Sequence, residues 1–137
     1  MTNYLIDTHP IILKETPCLH KKLSKKILNI FKRVEEGKDS IFVPTPVIWE
    51  LGFYHKKNNL KIKNQPLFRH WIQNRVLRHT NVNFVEANLE DLLLAAGLTV
   101  NSDPFDNLIV ATASRLDMPL ITKDQAITES GTCKVVW

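Results

Sequence analysis

Short apolar runs alternate with helical stripes along this chain. Asn3-Tyr4-Leu5-Ile6, Ser40-Ile41-Phe42-Val43, Val82-Asn83-Phe84-Val85, Leu120-Ile121-Thr122 and Lys134-Val135-Val136 read as short strands, bounded by polar or turn-forming residues. Helical spacing fills the gaps. Asp7 or Thr8 caps a helix containing Pro10, Ile11, Ile12 and Leu13, which Thr16-Pro17 breaks. Leu23, Ile27, Ile30, Phe31 and Val34 form the next stripe, with Lys22, Lys25, Lys26, Lys32 and Arg33 off it and Gly37 as a left-handed cap. Thr45 is expected to cap a helix with Pro46 at its first position, ending at Asn58-Asn59. Beyond a basic connection at 61–65, Pro66 is expected to open a helix with Phe68, Trp71, Ile72 and Val76 inward. Asn88 caps a helix through Leu92, Leu93, Ala95 and Ala96 that ends near Gly97. Asp103 caps the last long helix, with Pro104 at its first position. Phe105, Leu108, Ile109, Thr112, Ala113 and Leu116 lie on its buried face, and Met118-Pro119 ends it. Trp49 and Trp71 sit on stripes and are expected in the core.

Strands alternating with helices predict an α/β fold: a central, mostly parallel, short-stranded sheet with helices on both faces. No repeat, low-complexity segment or linker-like run divides residues 1–137, so one domain is expected, large enough for a core without disulfides. No apolar run approaches the ~20 residues of a membrane span, and no basic-then-apolar leader is present. With only Cys18 and Cys133, and no second half to a zinc site at Cys18-Leu19-His20, the expectation is a reduced, cytoplasmic protein.

Charge adds what the apolar pattern does not show. The net charge of +4 hides two opposed halves: residues 1–85 carry fifteen Lys/Arg against six Asp/Glu, and residues 86–137 carry three against eight. Between Glu50 and Glu86 there is no acid, while Lys56, Lys57, Lys61, Lys63, Arg69, Arg75 and Arg78 all fall there. Such a run is either a solvated helix face or a surface for a polyanion.

The acids of interest fall at the ends of predicted strands and the starts of predicted helices. Asp7 and Asp124 each follow a strand, Asp106 opens a helix, and Glu50 lies in the second turn of one. Each aspartate has a local explanation, because Asp103 and Asp124 suit helix caps and Asp106 favours a positive helix end. Glu50 lies past the capping position, so capping explains it less well. In a parallel sheet these places can converge on one crevice at the carboxyl edge. Clustered carboxylates resist ionisation, a cost that divalent cations relieve, and hard oxygen donors suit Mg²⁺ or Mn²⁺ rather than zinc. One or two such ions can activate water for in-line phosphoryl displacement. The basic run would then hold a polyanion through phosphate contacts.

Competing chemistries find less support. The glycines, Gly37, Gly52, Gly97 and Gly131, are scattered, so there is no phosphate-cradling loop. No nucleophile-elbow glycines exist for serine catalysis. Asp7-Thr8-His9 lacks the second aspartate of a phosphoaspartate-type phosphatase. The five histidines show no metal-ligand pairing, although His9 lies near Asp7.

Four ordered motifs resemble the PIN domain, and specifically VapC-type toxins of bacterial toxin–antitoxin systems. They are Leu5-Ile6-Asp7-Thr8-His9, Val47-Ile48-Trp49-Glu50-Leu51, the run from Asp103-Pro104-Phe105-Asp106-Asn107 to Ala113, and Leu120-Ile121-Thr122-Lys123-Asp124. The resemblance implies a three-layer α/β/α domain and a Mg²⁺- or Mn²⁺-dependent endoribonuclease. Asp7, Glu50, Asp106 and Asp124 match its acidic quartet, with Asp7 and Asp106 as the main metal ligands. Asp103 matches a further acid, either a ligand of a second metal or only a helix cap. Thr122 would support the site, as would Thr8. The resemblance also implies a homodimer and a cognate antitoxin whose tail enters the acidic groove. The chain departs from the pattern where Leu13 is followed by Lys14 and Glu15 rather than by a tryptophan, at Pro10, and at Asn107, where relatives often carry arginine. The alternatives are a PIN nuclease of RNA processing without an antitoxin, and a catalytically silent PIN-like module that binds RNA or protein.

Overall fold

The computed structural model describes residues 1–57 and 67–137. Among them, five strands form one sheet: β1 (Asn3–Ile6), β2 (Ser40–Pro44), β3 (Val82–Val85), β4 (Leu120–Ile121) and β5 (Val135–Val136). Their order is β3-β2-β1-β4-β5, and every neighbouring pair is parallel. The register sets Leu5 of β1 beside Phe42 on one side and Leu120 on the other. The chain lays β2 and β3 to one side of β1, then returns to place β4 on its other side. The carboxyl ends of β1 and β4 therefore form the point where strand order reverses, the usual ligand position in such sheets.

Helices complete the α/β/α layers: α1 (Thr8–Glu15), α2 (Lys25–Glu35), α3 (Thr45–Lys56), α4 (Phe68–Trp71), α5 (Leu89–Ala96), α6 (Pro104–Leu116) and α7 (Gln125–Ser130). Central strands buried on both faces carry the core. Leu5, Ile6, Val43, Leu120 and Ile121 pack with Ile27, Val47, Leu51, Ile109 and Ile127, all at 2 % exposure or less. The expected caps hold at most helix starts. Asp7, Asn88, Asp103 and Asp124 each accept a backbone N–H from the first turn that follows, with Asp91 closing a capping box on Asn88, and Ser24, not among those expected, caps α2 in the same way. Gly37 ends the α2 turn in the left-handed region (φ 74°).

Several expectations give way to tertiary context. Pro44, not Thr45, is the N-cap of α3, and the Thr45 hydroxyl instead accepts the Ala87 N–H at 3.1 Å, tying α3 to the segment after β3. The stripe around Trp71 is a single α-turn followed by a π-helical turn, Ile72–Val76, closed by a Leu77 N–H to Ile72 carbonyl bond. Trp71 is buried, but Trp49 is 63 % exposed: the apolar face of α3 that packs inward is carried by Val47 and Leu51. α6 stops at Leu116 because Asp117 adopts a left-handed conformation (φ 50°). The expected helix end at Asn58-Asn59, the connection with Lys61 and Lys63, and the helix start at Pro66 lie outside the described residues.

α5 is turned the opposite way to an ordinary surface helix. Its acid, Asp91, is fully buried, while Leu89, Leu92, Leu93 and Leu94 are 66, 52, 62 and 42 % exposed. The reason is an ion pair: Arg115 of α6 holds Asp91 through Nε at 2.6 Å and Nη2 at 3.0 Å, and the Thr112 hydroxyl donates to it at 3.1 Å. Burial works against the Asp91 charge, but these bonds outweigh it and hold the carboxyl below its ordinary pKa.

Candidate active site

One pocket of about 430 Å³ at the carboxyl edge of the sheet gathers acids from four segments. Asp7 leaves β1 directly into α1. Its Oδ1 accepts the Thr8 N–H at 2.7 Å and its Oδ2 accepts the Thr122 hydroxyl at 2.7 Å. Glu50 enters from the second turn of α3, and its Oε1 accepts the Thr8 hydroxyl at 2.6 Å. Asp103 and Asp106 come from the N-terminus of α6. Asp103 accepts the Phe105 N–H at 2.9 Å, so its capping role is real. Asp106 Oδ2 accepts the Asn101 side-chain amide at 2.8 Å. Asp124 caps α7 by accepting the Ile127 N–H at 2.9 Å, and all five acids line the pocket. The local cap and the shared pocket are compatible, because a capping aspartate spends one oxygen on an N–H and keeps lone pairs for a second partner.

Two threonines hold this arrangement from beneath. Thr122 is almost fully buried; its hydroxyl donates to Asp7 and accepts the Asp124 N–H at 3.1 Å, joining the ends of β1 and β4. Thr8, also buried, links the α1 start to α3 through Glu50. Thr122 thus touches Asp7 and Asp124, and Thr8 touches Glu50.

Like charges raise one another's pKa, and the pocket shows it. Burial, then the charges of Asp7, Asp103, Asp124 and Glu50, push Asp106 up to about 7. Burial likewise raises Asp7, against the pull of the Thr122 and Thr8 bonds. Glu50 is raised by burial and by Asp7 and Asp103, against its bond from Thr8. A carboxyl raised in the folded state favours folding below its ordinary pKa and loses that contribution as pH climbs to the folded value. Metal-free protein is therefore expected to melt roughly 3–5 °C lower at pH 8 than at pH 5, the equivalent of about 1 kcal/mol in a chain of this size. Asp106→Asn should shrink that drop, and Mn²⁺ should restore the melting temperature at pH 8. Thermal melts in EDTA check this, and a melting temperature that rises steadily from pH 5 to 8 would contradict it.

The donor set is hard oxygen, the chemistry of Mg²⁺ and Mn²⁺ sites. Among the described residues, no group of three or more His, Cys, Asp or Glu side chains is already drawn together tightly enough to hold an ion. The fit is thus one of donor chemistry and electrostatics: mutually repelling carboxylates share a pocket that a divalent charge would relieve.

Sequence reasoning missed three residues here. Tyr54 lines the pocket one helical turn beyond Glu50, a spacing that places both on the same face of α3. Lys123, between Thr122 and Asp124, also lines it. Asn101 contacts Asp106 and is itself held by Asn107, whose amide oxygen accepts the Asn101 N–H and whose amide nitrogen donates to the Asn101 carbonyl. Asn107 thus secures Asp106 indirectly, through Asn101. His9 reaches the pocket rim from an exposed position.

The basic residues lie elsewhere. Lys56, Lys57, Arg69, Arg75 and Arg78 are exposed, and none lines the acidic pocket. Arg75 pairs with Glu15 at 3.6 Å, and Arg78 contacts His79 at 3.2 Å. Lys56 borders a separate apolar cleft of about 430 Å³ that includes Trp49, Phe53 and Phe68. Lys61 and Lys63 lie outside the described residues.

Among the described residues, a parallel α/β/α sheet carries an acid-lined pocket where strand order reverses, so hard oxygen donors stand at the usual ligand position of such folds. The chain belongs to the PIN domain family, which matches residues 4–130 and whose members are generally nucleases. Its fold is similar to that of VapBC2 from Rickettsia felis, solved bound to a DNA fragment from their promoter, with a TM-score of 0.70 at 12 % identity and 98 % of each chain covered. It is also similar to FitAcB from Neisseria gonorrhoeae, with a TM-score of 0.67 at 13 % identity, covering 98 % of this chain and 96 % of that one. Sequence comparison with curated proteins finds no match. Among the described residues, no helix is long and apolar enough to cross a membrane.

Proposed function

We propose that this protein is a Mg²⁺- or Mn²⁺-dependent endoribonuclease, the VapC-type toxin of a toxin–antitoxin pair, with Asp7, Glu50, Asp106 and Asp124 as its metal-binding and catalytic acids. The observation that carries the reading is the convergence of these acids, with Asp103, on one pocket where burial and like charge raise Asp7, Glu50 and Asp106. A bound divalent ion would supply charge neutralisation and an activated water for phosphodiester hydrolysis. The chain's own residues prepare that chemistry. Thr122 orients the Asp7 carboxylate, Thr8 orients Glu50, and Asn101 orients Asp106. Asp103 is assigned to the cap of α6 at the lining of the pocket. The full 1–137 chain is read as one PIN domain.

Two observations support the partners. The exposed leucines of α5 are an apolar stripe that a second copy could cover by matching it with its own, as a two-fold interface requires. The likeness to VapBC2 supports a cognate antitoxin. A small gene for a DNA-binding protein abutting this one would strengthen that assignment, and co-expression of the pair should relieve growth arrest. The direct test of the nuclease is purified protein with RNA and Mn²⁺: cleavage that EDTA abolishes is the expected result, and no cleavage of any RNA with either metal would overturn the reading.

The exposed basic residues are assigned to the RNA path outside the acidic pocket. Replacing Arg69, Arg75 and Arg78 together is expected to weaken RNA binding and to flatten its salt dependence by about 2 in log–log slope. Binding titrations at several salt concentrations measure this, and an unchanged slope would place the strand on another face.

A further inference from the structure

Most donors in the acidic pocket are already committed. The Thr8 hydroxyl gives its proton to Glu50 and the Thr122 hydroxyl gives its proton to Asp7. Lys123 is exposed, with its ammonium 5.9 Å from the Trp137 ring centroid, and His9 is exposed at the rim. Tyr54 differs from all of these. Its ring is partly buried and packs against the core, which fixes it, while the residue lines the pocket beside Glu50. Among the described residues its hydroxyl has no hydrogen-bond partner, although carboxylate acceptors lie nearby.

From this geometry we infer that Tyr54 is a substrate-binding residue whose hydroxyl donates a hydrogen bond to a non-bridging phosphate oxygen of the nucleic-acid strand in the acidic pocket. The inference rests on the nuclease reading above and adds a residue to it. A strand entering a pocket of carboxylates meets repulsion at every phosphate that a cation does not cover. A lysine whose ammonium reached those acids would pair with them and compete with the cation, whereas Lys123 lines the pocket with its ammonium over the Trp137 ring. A phenol carries no charge, so it can donate to phosphate and leave the carboxylates free for metal. Burial, with the charges of Glu50, Asp7, Asp103 and Asp106, raises the phenol above its ordinary pKa, so it remains a donor throughout the neutral range. Its position one turn beyond Glu50 couples it to the helix that delivers one of the acids.

The test is Tyr54→Phe, which keeps the ring and removes only the hydroxyl. Cleavage of a mixed-sequence single-stranded RNA is measured with Mn²⁺ for wild type and Tyr54→Phe. Binding of the same RNA is measured for Asp106→Asn and for Asp106→Asn with Tyr54→Phe, and thermal melts confirm that packing is kept. A hydrogen bond to a charged oxygen predicts roughly tenfold losses in kcat/KM and in affinity, with no change in melting temperature. Cleavage and binding both within twofold of the parent would overturn the inference and leave the nuclease reading intact. Loss of binding on removing the hydroxyl, in a wild type that cuts no RNA, would overturn the nuclease reading while upholding the phosphate contact. RNA that binds neither Asp106→Asn protein would overturn the contact itself.

Discussion

Asp106→Asn protein given RNA and Mn²⁺ should cleave on the order of 10³-fold more slowly than wild type, the upper range for loss of one preorganised group. Asparagine keeps the shape of the side chain and an oxygen for the Asn101 amide, so the change removes charge rather than packing. Asp106 is the acid to choose because it stands among the others. Burial, then the charges of Asp7, Asp103, Asp124 and Glu50, raise it, and it is carried to about 7. Such a group is neutral for part of the physiological range in the absence of metal, and a divalent ion would restore its charge by displacing the proton. Cleavage should accordingly weaken as pH falls below about 7, where protons compete with metal. Gel-based cleavage rates across pH and Mn²⁺ concentration test both statements. An Asp106→Asn protein that cuts at the wild-type rate would show that the acidic pocket is not where the chemistry occurs.

Arg115→Ala should destabilise the fold by about 2–3 kcal/mol, below the ~3–5 kcal/mol of a fully buried pair because the guanidinium is partly in water. The variant leaves the Asp91 carboxylate, fully buried, with only the Thr112 hydroxyl and the Asn88 N–H as partners. It also frees the rotation of α5, whose other face is leucine. Urea denaturation should show a lower midpoint with little change in slope. Because Arg115 holds the Asp91 pKa below its ordinary value, this stability is present above about pH 4 and is lost as acid protonates Asp91 in the folded state. The gap between wild type and variant should therefore narrow at pH 3. A midpoint unchanged by Arg115→Ala would mean that α5 is held by other contacts.

The second prediction turns on a pair that no local reading would connect. Asp91 and Arg115 lie twenty-four residues apart, and in sequence Asp91 is simply an acid early in a helix rich in leucine. Its burial decides that those leucines face outward. Trp49 went the same way, because an apolar stripe shows that a helix has a packing face but not how many of its apolar residues a neighbour will cover. The Thr45 hydroxyl, read as a local cap, found the Ala87 N–H instead, a competitor forty-two residues away.

By itself the sequence determined what short-range physics governs. Strand and helix identities, most caps, the left-handed Gly37 and the acids at strand ends and helix starts follow from side-chain period, proline placement and the need to satisfy N–H groups at helix ends. Those same rules brought Asp7, Glu50, Asp106 and Asp124 forward as candidates. The tertiary structure alone decided that β4 returns beside β1, which brings Asp7 and Asp124 to one edge. It likewise decided that Tyr54 and Asn101 join the acids, and that α5 shows its leucines to solvent. These outcomes depend on pairing between segments far apart in the chain, and such pairing leaves no mark in the period or composition of either segment.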